Sequence, residues 1–231
     1  MRTLVIGDIH GCHIALDTLL QRVQPQPDDL LITLGDYVDR GPGSRQVIDR
    51  LIALQQSLSL IALRGNHDEV MRQVRQNRQE REFWLLIGGI QTLASYGHLP
   101  EDEVYDRIPA THWAFLDATR RYYQTETHVF AHATLDPNQP LVVQTDSALF
   151  WEKLNDRQPI RHQSGKVFIC GHTRQESGLP LELGTTICID TAVYQPQGWL
   201  TCLDVQSGQY YQANQRGEWR EGTRAQLARR G

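Results

Sequence analysis

The sequence lacks most of the features that mark a specialised chain. Neither charge sign dominates: 23 Lys and Arg face 27 Asp and Glu, for a net charge of −4 and a pI of about 6.1. No global basic field therefore points to nucleic acid or to an anionic membrane, and neither is expected as a partner. No apolar run approaches the ~20 residues of a membrane span, and the stretch Leu4–Ile6 is too short for the core of a signal peptide. A soluble, cytoplasmic protein is expected. Only four cysteines are present, Cys12, Cys170, Cys188 and Cys202. No two are spaced as CxxC, which argues against a zinc knuckle. The last three sit in apolar runs and read as small core residues. Internal repeats and low-complexity segments are also absent.

What is there is an ordinary globular composition. Apolar residues make up 40% and charged residues 22% of 231, enough for a sizeable core in one α/β domain. "TLVI" (3–6), "LLITL" (30–34) and "LSLIAL" (58–63) read as short buried strands. Amphipathic helical spacing follows the first in Ile14, Leu16, Leu19, Leu20 and Val23. It follows the second in Val47, Ile48, Leu51, Ile52 and Leu54. Strand, loop and helix in alternation predict a mostly parallel sheet with helices on its faces. From Glu69 to Gln124 the pattern turns helical and charged, and predicts a helical insertion. The second half is β-rich, with strands expected in 128–133, 166–173, 186–191, 198–205 and 208–213. "QSG" reads as the hairpin turn between the last two. "SALFWEKL" (147–154) predicts a short helix. A single domain is expected over 1–213, with 214–231 a polar, frayed tail.

Five strand ends carry chemistry of one kind. "GDIHG" supplies Asp8 and His10. "GDYVDRGP" supplies Asp36, Asp39 and Arg40. "RGNHD" supplies Asn66, His67 and Asp68. "HVFAHA" supplies His132, and "ICGHT" supplies His172. In α/β sheets, ligands gather beyond the carboxyl ends of the strands, so residues far apart in sequence can meet there. Aspartate, histidine and asparagine without cysteine form an oxygen/nitrogen set. Such a set suits Mn²⁺, Fe²⁺ or Zn²⁺ better than Ca²⁺. The donors are too many for one tetrahedral ion and about right for two ions sharing a carboxylate, a clamp suited to displacement at phosphorus. Asp36, central in chain order, is the natural bridge. Arg40 adds a planar fork for phosphate oxygens. A lone Gly-Asp after a strand is usually a turn, and a lone histidine beside an apolar run is usually a satisfied core residue. That bland reading has to hold independently at five strand ends. His13, His98, His112, His128 and His162 lack this context and are expected to be structural or solvated.

Taken together, "GDIHG", "GDYVDRG", "RGNHD", "FAHA" and "CGHT" resemble the motif series of the phosphoprotein phosphatase branch of the calcineurin-like metallophosphoesterases. The small bacterial and phage lambda-type serine/threonine phosphatases look most alike. The resemblance runs from Gly7 to about Val193. It implies a β-sandwich flanked by helices, and a serine/threonine protein phosphatase hydrolysing phosphoprotein by direct attack of a hydroxide held on two divalent ions, Mn²⁺ foremost. Asp8, His10 and Asp36 would hold the first ion, and Asp36, Asn66, His132 and His172 the second. Arg40 would bind phosphate. His67, steadied by Asp39, would be the general acid. Three positions depart from the pattern. Asp68 stands where Glu is usual, and Thr134 replaces the glycine of "HAG". "FWEK" offers Lys153 where a second phosphate-binding arginine is common, with Arg157, Arg161 and Arg174 as substitutes. The symmetrical dinucleoside tetraphosphate hydrolases share most of these motifs and tend to read "GDLVARG" and "GNHD"; Asp39 sets this chain apart from them and Asp68 draws it back. A catalytically dead binding module would have lost ligands, and every expected position is filled.

Overall fold

A computed structural model describes residues 1–97, 108–155 and 158–227. Eleven strands occur among them: β1 Thr3–Ile6, β2 Leu30–Thr33, β3 Ser59–Ala62, β4 Tyr122–Gln124, β5 His128–Ala131, β6 Val167–Cys170, β7 Leu181–Glu182, β8 Thr186–Cys188, β9 Leu200–Asp204, β10 Gln209–Ala213 and β11 Trp219–Thr223. The α-helices are α1 His13–Val23, α2 Ser44–Gln55, α3 Asn66–Gln76, α4 Arg81–Trp84, α5 Ile90–Ser95, α6 Ala110–Asp117, α7 Asp146–Phe150 and α8 Arg224–Leu227.

The strands form two sheets. One runs in the order β11-β10-β9-β1-β2-β3 and the other β4-β5-β6-β8-β7. β1, β2 and β3 are parallel to one another, as are β5, β6 and β8. The hairpin β9–β10 docks antiparallel on β1. The apolar runs are continuous rather than alternating because both faces of these strands are covered. Leu4, Ile6 and Leu31 pack in the cluster that holds α1 and α2. Their neighbours Val5 and Ile32 point the other way, into a cluster shared with Phe130, Ile169 and Ile187 of the second sheet. The outer face of that sheet is covered by Leu149 and Phe150 of α7 with Leu135 and Leu154. This is the sandwich flanked by helices that the motif resemblance implies, in place of the open sheet suggested by the strand–helix alternation alone.

Two expectations are corrected. The tail is not frayed from residue 214. Trp219–Thr223 pair with β10 over five residues, Arg224 bonds Glu182 at 2.6 and 3.1 Å, and Leu227 enters the core between the sheets. This edge strand carries exposed polar residues and no apolar alternation, so nothing in its pattern announced it. The segment 69–124 is helical only in part. α3 already begins at Asn66, a tight turn and α4 lead into a π-helical turn at Leu85–Gly89, and residues 122–124 are β4. Trp84, Tyr96 and Trp113 of this segment are core, whereas Phe83 is 43% exposed.

Candidate metal centre

β1, β2 and β3 end beside one another, and so do β5, β6 and β8. The loops beyond these ends carry Asp8, Asp36, Asn66, His132, His172 and, unanticipated, Asp190. Hydrogen bonds stitch the loops together. The Asp36 carbonyl accepts the N–H groups of Ile9 and His10 at 3.1 and 2.7 Å. The Asp68 carboxylate accepts those of Asp36, Tyr37 and Gly65 at 2.8, 2.9 and 2.9 Å, so aspartate in the place of the usual glutamate still ties the second loop to the third. The Asp8 carboxylate accepts the His172 N–H at 3.1 Å. The carboxylates lie hard against backbone: a Cβ on Gly65 would come within 2.0 Å of Asp36 Oδ1, and one on Gly171 within 2.0 Å of Asp8 Oδ1. Glycine is required at both positions for this approach. His10, Asp36, Asp39, Arg40 and His172 all have positive φ, between 45° and 71°. Such conformations persist in non-glycine residues only where the surroundings impose them.

The side chains converge as a donor set. His10 Nε2 lies 3.3 Å from Asp36 Oδ2, and His132 Nε2 lies 3.5 Å from Oδ1. The other ring nitrogen of each meets a main-chain carbonyl: His10 Nδ1 meets Val38 at 3.1 Å and His132 Nδ1 meets Leu34 at 3.0 Å. A carbonyl only accepts, so Nδ1 carries the proton and Nε2 turns its lone pair on the cluster. His172 does the reverse. Its Nε2 donates to the Trp151 carbonyl at 3.0 Å, and Nδ1 faces Asn66 Oδ1 at 3.1 Å. Asn66 Oδ1 also lies 3.0 Å from His132 Nε2. Two groups of donor atoms, each within 4.8 Å of one another, share Asp36. One contains Asp8 and His132, and the other contains His10 and His67. Asp36 is common to both groups, and neither group coincides with the ligand sets the resemblance implies, which join Asp8 with His10 and leave His67 out.

The electrostatics call for a cation. Burial, then Asp190 and Asp36, push the Asp8 carboxyl well above the ordinary range. Burial likewise lifts Asp190 to about 6. Burial would raise Asp36 too, but four surrounding histidines, His132 foremost, hold it below the usual range. Burial lowers His10, His132 and His172, so these imidazoles give up a proton readily and can then ligate. Three buried carboxylates with neutral histidines fit divalent ions.

Beside this cluster, His67 Nδ1 meets Asp39 Oδ2 at 2.7 Å. Arg40 spans the opening: its Nη1 donates to His10 Nε2 at 3.0 Å and its Nη2 to His67 Nε2 at 2.8 Å. The guanidinium also stacks 4.5 Å from the Tyr194 ring centre. For His67, burial opposes protonation, but Asp36 and the bond to Asp39 outweigh it and the pKa is raised. The cluster opens into a cleft of ≈ 370 Å³ lined by Asp8, Asp36, Arg40, Asn66, His172 and Asp190, with Lys153, Arg174 and Tyr194 at its walls. Lys153 and Arg174 thus both reach the cleft, Arg161 does not line it, and Arg157 lies outside the described residues. Thr134 is accommodated, its hydroxyl donating to the Ala148 carbonyl at 3.2 Å. His112, bonded to Tyr96 and Asp49, and His162, bonded to Ser164 and Gln139, stand apart from the cluster; His98 lies outside the described residues. Asp190 was legible in principle, since "TICID" ends a buried strand in an acid as the segments after β1 and β2 do. Tyr194 carried no such signal.

Comparison with known proteins agrees with this geometry. A family model described as calcineurin-like phosphoesterase matches residues 1–176. The chain is 35% identical over 135 residues to the serine/threonine-protein phosphatase 1 of Salmonella typhimurium, covering 56% of this chain and 57% of that protein. It is 48% identical over 69 residues to the symmetrical bis(5'-nucleosyl)-tetraphosphatase of Salmonella paratyphi A, covering 29% and 24%. The chain therefore spans little more than half of the first relative and a quarter of the second. Among solved structures, one provisionally described as a diadenosine tetraphosphatase aligns over 96% of this chain and 93% of its own, with a TM-score of 0.67 and 20% identity. A cold-active protein tyrosine phosphatase aligns over 95% and 78%, with a TM-score of 0.64 and 15% identity. These last two likenesses establish the fold.

Proposed function

The chain belongs to the calcineurin-like phosphoesterases, and from that premise we propose that it is a metal-dependent serine/threonine protein phosphatase of the cytoplasm, acting on phosphorylated proteins or peptides. Asp8, His10, Asp36, Asn66, His132 and His172 would hold two divalent ions, with Mn²⁺ the best activator. Ions bound there supply Lewis acidity that activates water and neutralises charge at phosphorus. The remaining steps fall to this chain's own groups. Arg40 presents a planar fork to phosphate oxygens. At rest that fork is spent on the lone pairs of His10 and His67, so a phosphate that draws it away frees His67 Nε2 to carry a proton. His67 gives that proton to the departing alkoxide. Asp39 fixes the ring and stabilises the imidazolium formed before transfer. Lys153 and Arg174 are the candidates for a second contact to phosphate.

The observation that carries this reading is the 2.7 Å pair of His67 and Asp39. A serine alkoxide is a poor leaving group and needs a proton. The tetraphosphate hydrolases that this chain resembles tend to have alanine at the Asp39 position. A second reading, symmetrical dinucleoside tetraphosphate hydrolysis, is favoured by Asp68 and by the 48% identity over 69 residues. Metal-reconstituted protein tested side by side on phosphoserine, phosphothreonine and phosphotyrosine peptides and on diadenosine tetraphosphate separates the two. The proposal expects the highest kcat/KM on phosphoserine or phosphothreonine. A preference for diadenosine tetraphosphate would replace it with the second reading.

A further inference from the structure

Asp39 is fully buried, and only one of its carboxylate oxygens serves His67. The other, Oδ1, accepts the Trp84 indole N–H at 3.0 Å and the Thr92 hydroxyl at 2.7 Å. The Thr92 hydroxyl has a single hydrogen, spent on Oδ1. Its remaining contacts, with the Asp39 N–H at 2.8 Å and Ser44 Oγ at 3.0 Å, are therefore ones in which Thr92 accepts. The same hydroxyl grips Asp39 at both backbone and side chain. The next residue is held from the same side: the Arg40 N–H donates to the Gly88 carbonyl at 3.3 Å. Gly88 sits in the π-helical turn with φ 129°, and a Cβ there would come within 2.6 Å of the Arg40 nitrogen. Trp84, Gly88 and Thr92 follow one another at intervals of four, so one face of the helical segment 81–95 meets the loop. Asp39 and Arg40 have φ of 71° and 69°, a region that costs a non-glycine residue about 1–3 kcal/mol and needs outside support. Trp84 and Thr92 are both fully buried.

We infer that the segment 81–95 is the positioning device of the acid pair. Thr92 and Trp84 are positioning residues that turn Oδ2 of Asp39 onto His67 and hold the Asp39–Arg40 backbone in its left-handed form. The inference rests on the reading of His67 as the acid and deepens it. It gives the helical insertion a role in the chemistry rather than in covering substrate; none of the residues lining the catalytic cleft comes from 81–95.

The test compares kcat for phenyl phosphate, whose leaving group needs a proton, with kcat for p-nitrophenyl phosphate, whose leaving group departs unaided. Thr92→Val removes the hydroxyl at nearly constant shape, Thr92→Ser restores it, and His67→Asn is the reference. General acid catalysis is typically worth about 10²–10⁴-fold, so a displaced but present acid should cost Thr92→Val about tenfold more on phenyl phosphate than on p-nitrophenyl phosphate. KM and bound metal should be unchanged, and Thr92→Ser should recover most of the difference. A purely structural hydroxyl would slow both substrates alike. Equal slowing in Thr92→Val, beside unequal slowing in His67→Asn, overturns the inference and leaves the acid in place. Equal slowing in His67→Asn overturns both. Should Thr92→Val fail to fold, Trp84→Phe removes the other donor and is read by the same two rates, with equal slowing again decisive against the inference.

Discussion

At the scale of single residues, Arg40 is where competing demands meet. Its guanidinium has donors only, yet it rests on two imidazole lone pairs, those of His10 and His67. The first belongs to the set that would hold an ion, and the second to the proposed acid. Arg40 thus occupies the lone pairs that an ion and the transferred proton would take, and it should not itself be needed for ion binding. Arg40→Ala is expected to lower kcat/KM by about 10²-fold, the scale of losing a charge-assisted phosphate contact, while bound metal stays at the wild-type level by elemental analysis. Loss of the metal in that variant would move Arg40 from the substrate to the structure of the centre. Most residues at this scale were legible in the sequence, because each ligand candidate lies within a few residues of the end of an apolar run, often with glycine beside it. Trp84 and Thr92 were not. They lie in a helical stretch with no local motif, and only the fold shows that their polar atoms turn inward onto Asp39.

Elements are held in place by a few polar ties as well as by their cores. Arg2, just before β1, donates to the α1-terminal carbonyls of Val23 and Gln24 at 3.3 and 3.0 Å, groups a helix end leaves unpaired. It also grips Asp29, just before β2, with Nε and Nη2 at 3.0 and 2.6 Å. Burial opposes ionisation of Asp29, but the hydrogen bonds from Arg2 and Gln26 hold its carboxyl down at about 2. A carboxyl depressed in the folded state stabilises it above the unfolded pKa, near 3.8, and loses that contribution as pH falls through the folded value. Asp29→Asn should therefore cost about 1–2 kcal/mol at pH 7, less than the full shift because Arg2 remains partly solvated, and the difference from wild type should vanish towards pH 2. Urea unfolding at a series of pH values measures it; a gap independent of pH would mean that the tie is not ionic. The central strands and α1 and α2 were legible because apolar runs and helical spacing are strong signals. β4 and β7, of three and two residues, are too short to show a pattern, and β11 exposes its side chains at the sheet edge.

The whole molecule is organised so that two sheets bring their strand ends to one place. β1, β2 and β3 deliver Asp8, Asp36 and Asn66, while β5, β6 and β8 deliver His132, His172 and Asp190. The order of motifs along the chain announced this convergence, but the pairing of donors was beyond it, since pairing depends on how the sheets are set face to face. Asp36 lies between the two groups of donors and belongs to both. Three buried carboxylates of like charge make a centre that favours cations and is poorly balanced without them. The most direct test is the number of Mn²⁺ ions bound per chain at saturation, measured by elemental analysis after equilibrium dialysis, in the wild type and in Asp36→Asn and Asp8→Asn. About two ions are expected in the wild type, about one in Asp8→Asn and fewer still in Asp36→Asn, because only the shared carboxylate serves both positions. A wild type that saturates at one ion, or an Asp36→Asn variant that keeps two, would contradict this.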